Sequence, residues 1–211
     1  MDKLRRSLLT AIALSPLAAR AQPGGDAGYS TLQNALPVEN PAKVEIAEFF
    51  WYGCIHCYNL EPLLESWAPK LPADAYFRRI PAVFNDRWAL DGGYFYAFES
   101  MGILDKVHRP FFDAIHKDRL KTDNPTALNE WLARHGIDAK KFDGVVKSFG
   151  VQSKLKRAAQ LTTGSRIDGT PALMVHGRYT ISTEQGRSRE GMLANAERLI
   201  PQARKFLSSA K

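Results

Sequence analysis

Trp51-Tyr52-Gly53-Cys54-Ile55-His56-Cys57-Tyr58 follows directly on the apolar run from Val44 to Phe50 and holds both cysteines of the chain. The run predicts a buried strand. The stretch from Cys57 to Trp67, with Leu60, Leu63, Leu64 and Trp67 three and four residues apart, predicts a helix. The cysteine pair therefore falls where a strand hands over to a helix N-terminus. Free backbone N–H groups and the positive end of the helix dipole favour a thiolate at such a place. Residues i and i+3 on a helical turn stand about 5–6 Å apart, within the range a disulfide tolerates. An inert staple and a zinc site are the other readings of such a pair. A bridge enclosing two residues would constrain the unfolded chain little, and a zinc site wants a second Cys-x-x-Cys or a spaced histidine pair. Reactivity explains the spacing best, so the pair points to thiol–disulfide chemistry.

The N-terminus reads as an export signal. Lys3, Arg5 and Arg6 precede the short apolar run Leu8 to Leu14, and Ala19-Arg20-Ala21 supplies a small-x-small cleavage site before Gln22. The run is far shorter than the roughly 18–20 residues that span a bilayer, so a membrane anchor is not expected. Removing residues 1–21 takes away Lys3, Arg5, Arg6 and Arg20 with Asp2. That leaves 25 basic and 21 acidic residues, a formal +4 in place of the whole-chain +7. These charges are mixed along the chain, and nucleic-acid binding has no further support.

Beyond the first helix, ending near Pro69 and Pro72 and kinked at Glu61-Pro62, Ala75 to Ile80 predicts a second strand ended by Pro81. From about Asn85 to Gly164 helical periods dominate. Tyr94, Phe95, Phe98 and Met101 share a face, and Asn124-Pro125 opens a helix toward Gly136. Asp138 caps another, with Phe142, Val145, Val146 and Phe149 inward and Gly150 as its stop. Strands return at Ala172 to Val175 and Arg178 to Ile181 around a His176-Gly177 turn, before a last helix carrying Met192, Leu193, Ala196, Leu199 and Ile200. The order is β-α-β, a helical insert, then β-β-α.

With Cys-x-x-Cys at a strand-to-helix junction and Thr170-Pro171 opening the later strand, the chain resembles the thioredoxin fold. The signal segment, the helical insert and the histidine before Cys57 narrow the resemblance to the DsbA family of periplasmic thiol:disulfide oxidoreductases. It is carried by Glu48-Phe49-Phe50, Cys54 to Tyr58, Gly102 to Val107 and Gly169 to Tyr179, across nearly all of the chain after residue 21. Ile55 stands where well-known members have proline, and Thr170 where they often have valine. The resemblance implies an α/β protein: a thioredoxin-like domain of residues 22–84 and 165–211, interrupted by a helical subdomain of residues 85–164.

It also implies roles. Cys54, ahead of the first helical turn, is expected to be the exposed nucleophile and Cys57 the covered resolving thiol. His56 would favour the Cys54 thiolate. Thr170–Pro171 is expected to be a cis bond that offers backbone edge groups to an extended substrate. Glu48 corresponds to a buried acid that moves the proton of the resolving cysteine, and its other reading is a strand glutamate facing water. Trp51 is read as the rim of a peptide groove, Tyr52 and Tyr58 as core, and His108, His116, His135 and His176 as surface or capping residues. No metal or organic cofactor is expected, since the disulfide is itself the electron acceptor.

The implied function is an oxidase that donates its Cys54–Cys57 disulfide to unfolded, newly exported proteins in the periplasm. It would act as a monomer and be reoxidised by a quinone-linked inner-membrane partner of the DsbB type. A disulfide isomerase or reductase of the same fold is the alternative. An isomerase of the DsbC type would carry an N-terminal dimerisation domain, for which no room is seen before Val44. A peptide-binding chaperone module with a structural Cys-x-x-Cys is the third reading.

Overall fold

The computed structural model describes residues 28–207. The expected export segment, residues 1–21, lies outside them. A five-stranded sheet runs in the order β1-β5-β4-β2-β3, formed by β1 (Ser30–Thr31), β2 (Val44–Phe50), β3 (Ala75–Pro81), β4 (Ala172–Val175) and β5 (Tyr179–Ile181). β2 lies at its heart, parallel to β3 and antiparallel to β4, with Glu48 opposite Arg79 on one side and Leu173 on the other. All seven residues of β2 are buried. A continuous apolar run is what a strand covered on both faces requires. The β-α-β, helical block and β-β-α order expected from the sequence is the order found. β1, two residues long and antiparallel to β5, is too short to leave a periodic signal and was not anticipated.

Alternation along the strands sends their side chains to two clusters. Val44, Ile46, Leu173 and Val175 pack with Leu60 and Leu64 of α1 (Ile55–Trp67) and with Met192, Ala196 and Leu199 of α8 (Arg189–Ala203), α8 being preceded by the short α7 (Thr183–Gly186). The other face carries Ala47, Phe49, Ala172 and Met174. It joins α2 (Asp86–Ser100), α3 (Leu104–His116), α4 (Pro125–Arg134), α5 (Ala139–Val146) and α6 (Phe149–Ser165) in one continuous cluster that includes Phe98, Phe111, Trp131 and Phe142. Each such fully buried side chain contributes about 1.5–3 kcal/mol.

Local chemistry sets the ends. Asn124 caps α4 by accepting from the Thr126 and Ala127 amides, with Pro125 at the first helical position, and Asp138 caps α5 through the Lys141 amide. Two expectations fail here. Gly150 does not stop α5, which ends at Val146; it lies inside α6, whose cap is Ser148 accepting from Val151 N–H. Phe149 is not inward but 89% exposed, because it belongs to the first turn of α6 rather than to the apolar face of α5. α1 runs through Pro62 unbroken, and Arg109 Nη1 donates to the Tyr58 carbonyl oxygen (3.4 Å), the acceptor that a proline at position 62 leaves without its helical donor. In the β4–β5 turn, His176 and Gly177 both take positive φ (47° and 64°). Gly177 is required twice over, since a Cβ there would also collide with the Leu36 carbonyl.

Candidate active site

The helix begins earlier than its apolar spacing suggested, at Ile55, so the first cysteine is itself the N-cap. Cys54 has extended backbone (φ −87°, ψ 113°), and its Sγ accepts from the amide of Cys57, three residues on, at 3.4 Å. This is the geometry in which Ser or Asp caps a helix, with sulfur in place of oxygen. The two cysteines are free thiols here, Cys54 partly exposed and Cys57 buried. Their acidities diverge accordingly. A hydrogen bond from the Cys57 thiol lowers the Cys54 pKa to about 5 against the opposing effect of burial. The Thr170 side chain and the backbone N–H groups of Cys57 and His56 assist. Cys57 is pushed well above an ordinary thiol, first by burial, then by its bond to Cys54 and by the charge of Glu48.

Residues distant in sequence complete the site. The Thr170–Pro171 bond is cis, and the Thr170 carbonyl oxygen lies 3.3 Å from Cys54 Sγ as an acceptor for the thiol proton. His56 is exposed, and what it offers Cys54 is its backbone N–H; the residue lines a cleft together with Pro171. Trp51 is half-buried and fixed in place. Its Nε1 donates to Asp91 Oδ2 (2.8 Å), its indole stacks on Trp88 (4.5 Å, 12°), and a Cβ on Gly53 would collide with it. Phe84, 42% exposed, stands edge-on to Trp88, and Ile55 is 47% exposed. Tyr52 is core as expected, whereas Tyr58 is only partly buried, its hydroxyl donating to Asp113 Oδ1 at 2.7 Å.

Beneath the pair lies a layer of buried charge. Glu48 is fully buried rather than facing water, and neither of its carboxylate oxygens has a hydrogen-bond partner. The closest cation is Arg79, with Nε 3.8 Å from Oε2. Burial, the negative charge of Glu61 and that of Cys54 raise the Glu48 pKa well above the carboxylate range, with Arg79 opposing. Arg79 is spent chiefly on Glu61, donating from Nε (3.0 Å) and Nη2 (2.6 Å) in a bidentate pair. Glu61 Oε1 also meets His108 Nε2 (3.2 Å), and His108 Nδ1 meets the Tyr52 hydroxyl (2.8 Å). Despite its burial Glu61 is held well below the usual range by His108 and Arg79. Burial lowers the pKa of His108, so near pH 7 its imidazole is a neutral donor and Arg79 is the lasting positive charge.

Glu61, Arg79 and Asp91 carry no role in the sequence reading, and His108 stands there only as a surface or capping residue. Two arginines inside an otherwise strand-like run (Arg78-Arg79) were the one available signal. His108 and His176, read as surface or capping residues, are both buried (6% exposed each), because α3 turns His108 toward α1 and the β4–β5 turn folds under Leu36. His116 Nε2 donates to the Tyr52 carbonyl oxygen (2.8 Å), and His135 Nδ1 donates to the Trp131 carbonyl oxygen (2.8 Å) near the end of α4.

Comparison with known proteins gives a consistent picture. Residues 92–196 match the family model of the DSBA-like thioredoxin domain. The thiol:disulfide interchange protein DsbA of Azotobacter vinelandii is 43% identical over 176 residues, covering 83% of this chain and 82% of its own. DsbA of Pseudomonas aeruginosa strain PAO1 is 37% identical over 206 residues, 95% of this chain and 98% of that protein. The crystal structure of Pseudomonas aeruginosa DsbA superposes with a TM-score of 0.79 at 37% identity, over 84% of this chain and 93% of that one. The oxidoreductase DsbA of Xylella fastidiosa does so with 0.77 at 26% identity, over 84% and 95%.

Proposed function

Since the chain belongs to the DsbA family of thiol:disulfide oxidoreductases, we propose that it oxidises unfolded, newly exported proteins by giving up a Cys54–Cys57 disulfide, in the periplasm and as a monomer. A quinone-linked membrane partner of the DsbB type reoxidises it. The helical block of residues 85–164 is a subdomain inserted in a thioredoxin-like domain of residues 22–84 and 165–211. The observation that carries this reading is the asymmetry of the sulfurs: one reachable with a pKa of about 5, the other buried with its pKa raised.

The exchange proceeds in two displacements. A substrate thiolate attacks Cys54 Sγ, because Cys57 is covered. The Cys54–Cys57 bond breaks and Cys57 leaves as a thiolate that its apolar surroundings force to take a proton. Glu48, whose pKa burial raises well above the carboxylate range, is the donor, and the same carboxylate takes the proton back on reoxidation. A second substrate thiolate then attacks the substrate's own sulfur in the mixed disulfide and expels Cys54. Its low pKa makes it a good leaving group. Two electrons pass from the substrate dithiol to the pair; Cys57 holds the proton from Glu48, Cys54 stays a thiolate near pH 7, and the substrate's own thiol protons go to solvent. Thr170 and Pro171 bound the path of the substrate chain, and Trp51, backed by Trp88, forms its apolar wall.

A stabilised reduced form is the known reason DsbA proteins are strong oxidants. Here, at pH 7, the interval down to a Cys54 pKa of about 5 corresponds to under ~3 kcal/mol, and solvent screening at this partly exposed sulfur cuts it to about 1–2 kcal/mol. That is roughly 20–40 mV toward the oxidising side. The thiolate benefit is present above the lowered pKa and fades as pH falls through about 5. In the assay that tests the function, the oxidised protein speeds refolding of a reduced, unfolded disulfide protein, and its reduced form unfolds at higher urea than its oxidised form at pH 7. A protein that reduces insulin but leaves refolding unaided would be a reductase instead.

Glu48→Gln removes the proton carrier and keeps the shape. Reoxidation is expected to slow by about ten-fold between pH 6 and 7, where water is a poor base, and to approach the parent rate above roughly pH 9. Coincident rate–pH curves for the two proteins would end the role assigned to Glu48.

A further inference from the structure

A cleft of about 470 Å³ opens beside the cysteine pair, walled by His56, Asn59, Pro171 and the α7–α8 connection Arg187-Ser188-Arg189. Both arginines are exposed, and among the described residues neither guanidinium meets a carboxylate within ion-pair distance. Arg189 is steered toward α1 by Nη1 donating to the Asn59 carbonyl oxygen at 2.7 Å. Arg187 is fixed at its root. It ends α7 in the left-handed region (φ 60°) with its N–H on the Thr183 and Glu184 carbonyls. The fifteen-residue α8 starts at this wall and adds the positive end of its dipole. Glu190, also on the wall, is turned back onto its own backbone N–H and the Ser188 hydroxyl and lies within the field of Arg189. Two guanidinium groups thus stand against one capping carboxylate.

A chain reacting at Cys54 Sγ must run past Thr170 and Pro171, so the residues flanking its cysteine lie over this cleft. We propose that the cleft selects substrate segments that carry an aspartate or glutamate within a few residues of the reacting cysteine, with Arg187 and Arg189 as the specificity-determining residues. This rests on the reading of Cys54 as the exchanging sulfur. Exposed ion pairs are individually weak, so two of them amount to a preference of roughly three- to ten-fold, screened by salt.

The test uses three reduced dithiol peptides, identical except for Asp, Asn or Lys two residues from the first cysteine. kcat/KM for their oxidation by the oxidised protein is measured at about 20 mM and about 500 mM salt. The order Asp, Asn, Lys is expected at low salt, with the Asp-to-Lys ratio near ten and collapsing toward one at high salt. In the Arg187→Glu, Arg189→Glu double variant the ratio should fall below one, and in the Arg187→Gln, Arg189→Gln variant it should lie between. Ratios taken within one protein cancel any change at the sulfurs. Equal low-salt rates for the three peptides, or an Asp preference surviving charge reversal, overturn the proposal alone. Failure to oxidise even the Asn peptide overturns the reading of Cys54 and this proposal with it.

Discussion

Cys54→Ser is expected to reduce the acceleration of oxidative refolding by about three orders of magnitude or more, to the buffer background, with the fold intact. Serine can cap α1 as the sulfur does, accepting from the Cys57 amide, so the helix start survives while the redox couple is gone. Cys57→Ser should be equally dead as an oxidase yet differ in kind. Its Cys54 thiolate can still attack a substrate disulfide, forming one mixed disulfide and releasing one thiolate, and then nothing resolves the adduct. Non-reducing electrophoresis should therefore show a one-to-one adduct with Cys57→Ser and none with Cys54→Ser. The prediction depends on the burial difference between the two sulfurs. Adducts formed equally by both variants would mean that either sulfur is reachable, and the assigned order of attack would be wrong.

Arg79→Met is expected to cost about 3–5 kcal/mol of stability at pH 7.5, the usual penalty for taking one partner from a buried pair. Arg79 is the bidentate partner of Glu61 and the nearest cation to Glu48, and both acids are fully buried. Methionine keeps the apolar stem, so the loss reports charge rather than volume. The pH dependence gives the sign. Glu61 has its pKa lowered to about 2 in the folded protein. Its contribution is therefore complete above its unfolded value near 4.3 and is lost only as pH falls through the folded one. Without Arg79 that depression weakens, leaving only the His108 share, and a protonated Glu61 needs no counterion. The deficit of the variant should then shrink as pH drops from 7.5 toward 4.5. Urea unfolding of both proteins at the two pH values measures it. A deficit under 1 kcal/mol, or one unchanged with pH, would show that Arg79 is not what permits the buried acids.

How far the sequence reached is clearest at α1 and at the end of α5. The cysteine pair, its strand and its helix were legible because i, i+3 spacing and capping act within one turn. Even the two-residue error in the helix start came from reading apolar spacing ahead of the cap. The capping residues Asn124 and Asp138 and the His176-Gly177 turn were equally local. Phe149 and Gly150 were misread because a period of apolar residues does not say where one helix stops when only two residues separate it from the next. His108 was misread because nothing near it in sequence tells that α3 will lay it against Glu61.

What the chain by itself determined is the chemistry at Cys54: an N-cap sulfur facing free amides is stabilised as a thiolate wherever such a strand-to-helix turn forms. Only the tertiary structure decided what surrounds it. Thr170 comes to the sulfur across 116 residues, and Arg79 and His108 come to Glu61 across 18 and 47. Burial and ion pairing depend on which distant surfaces meet, and no local pattern of residue types carries that information.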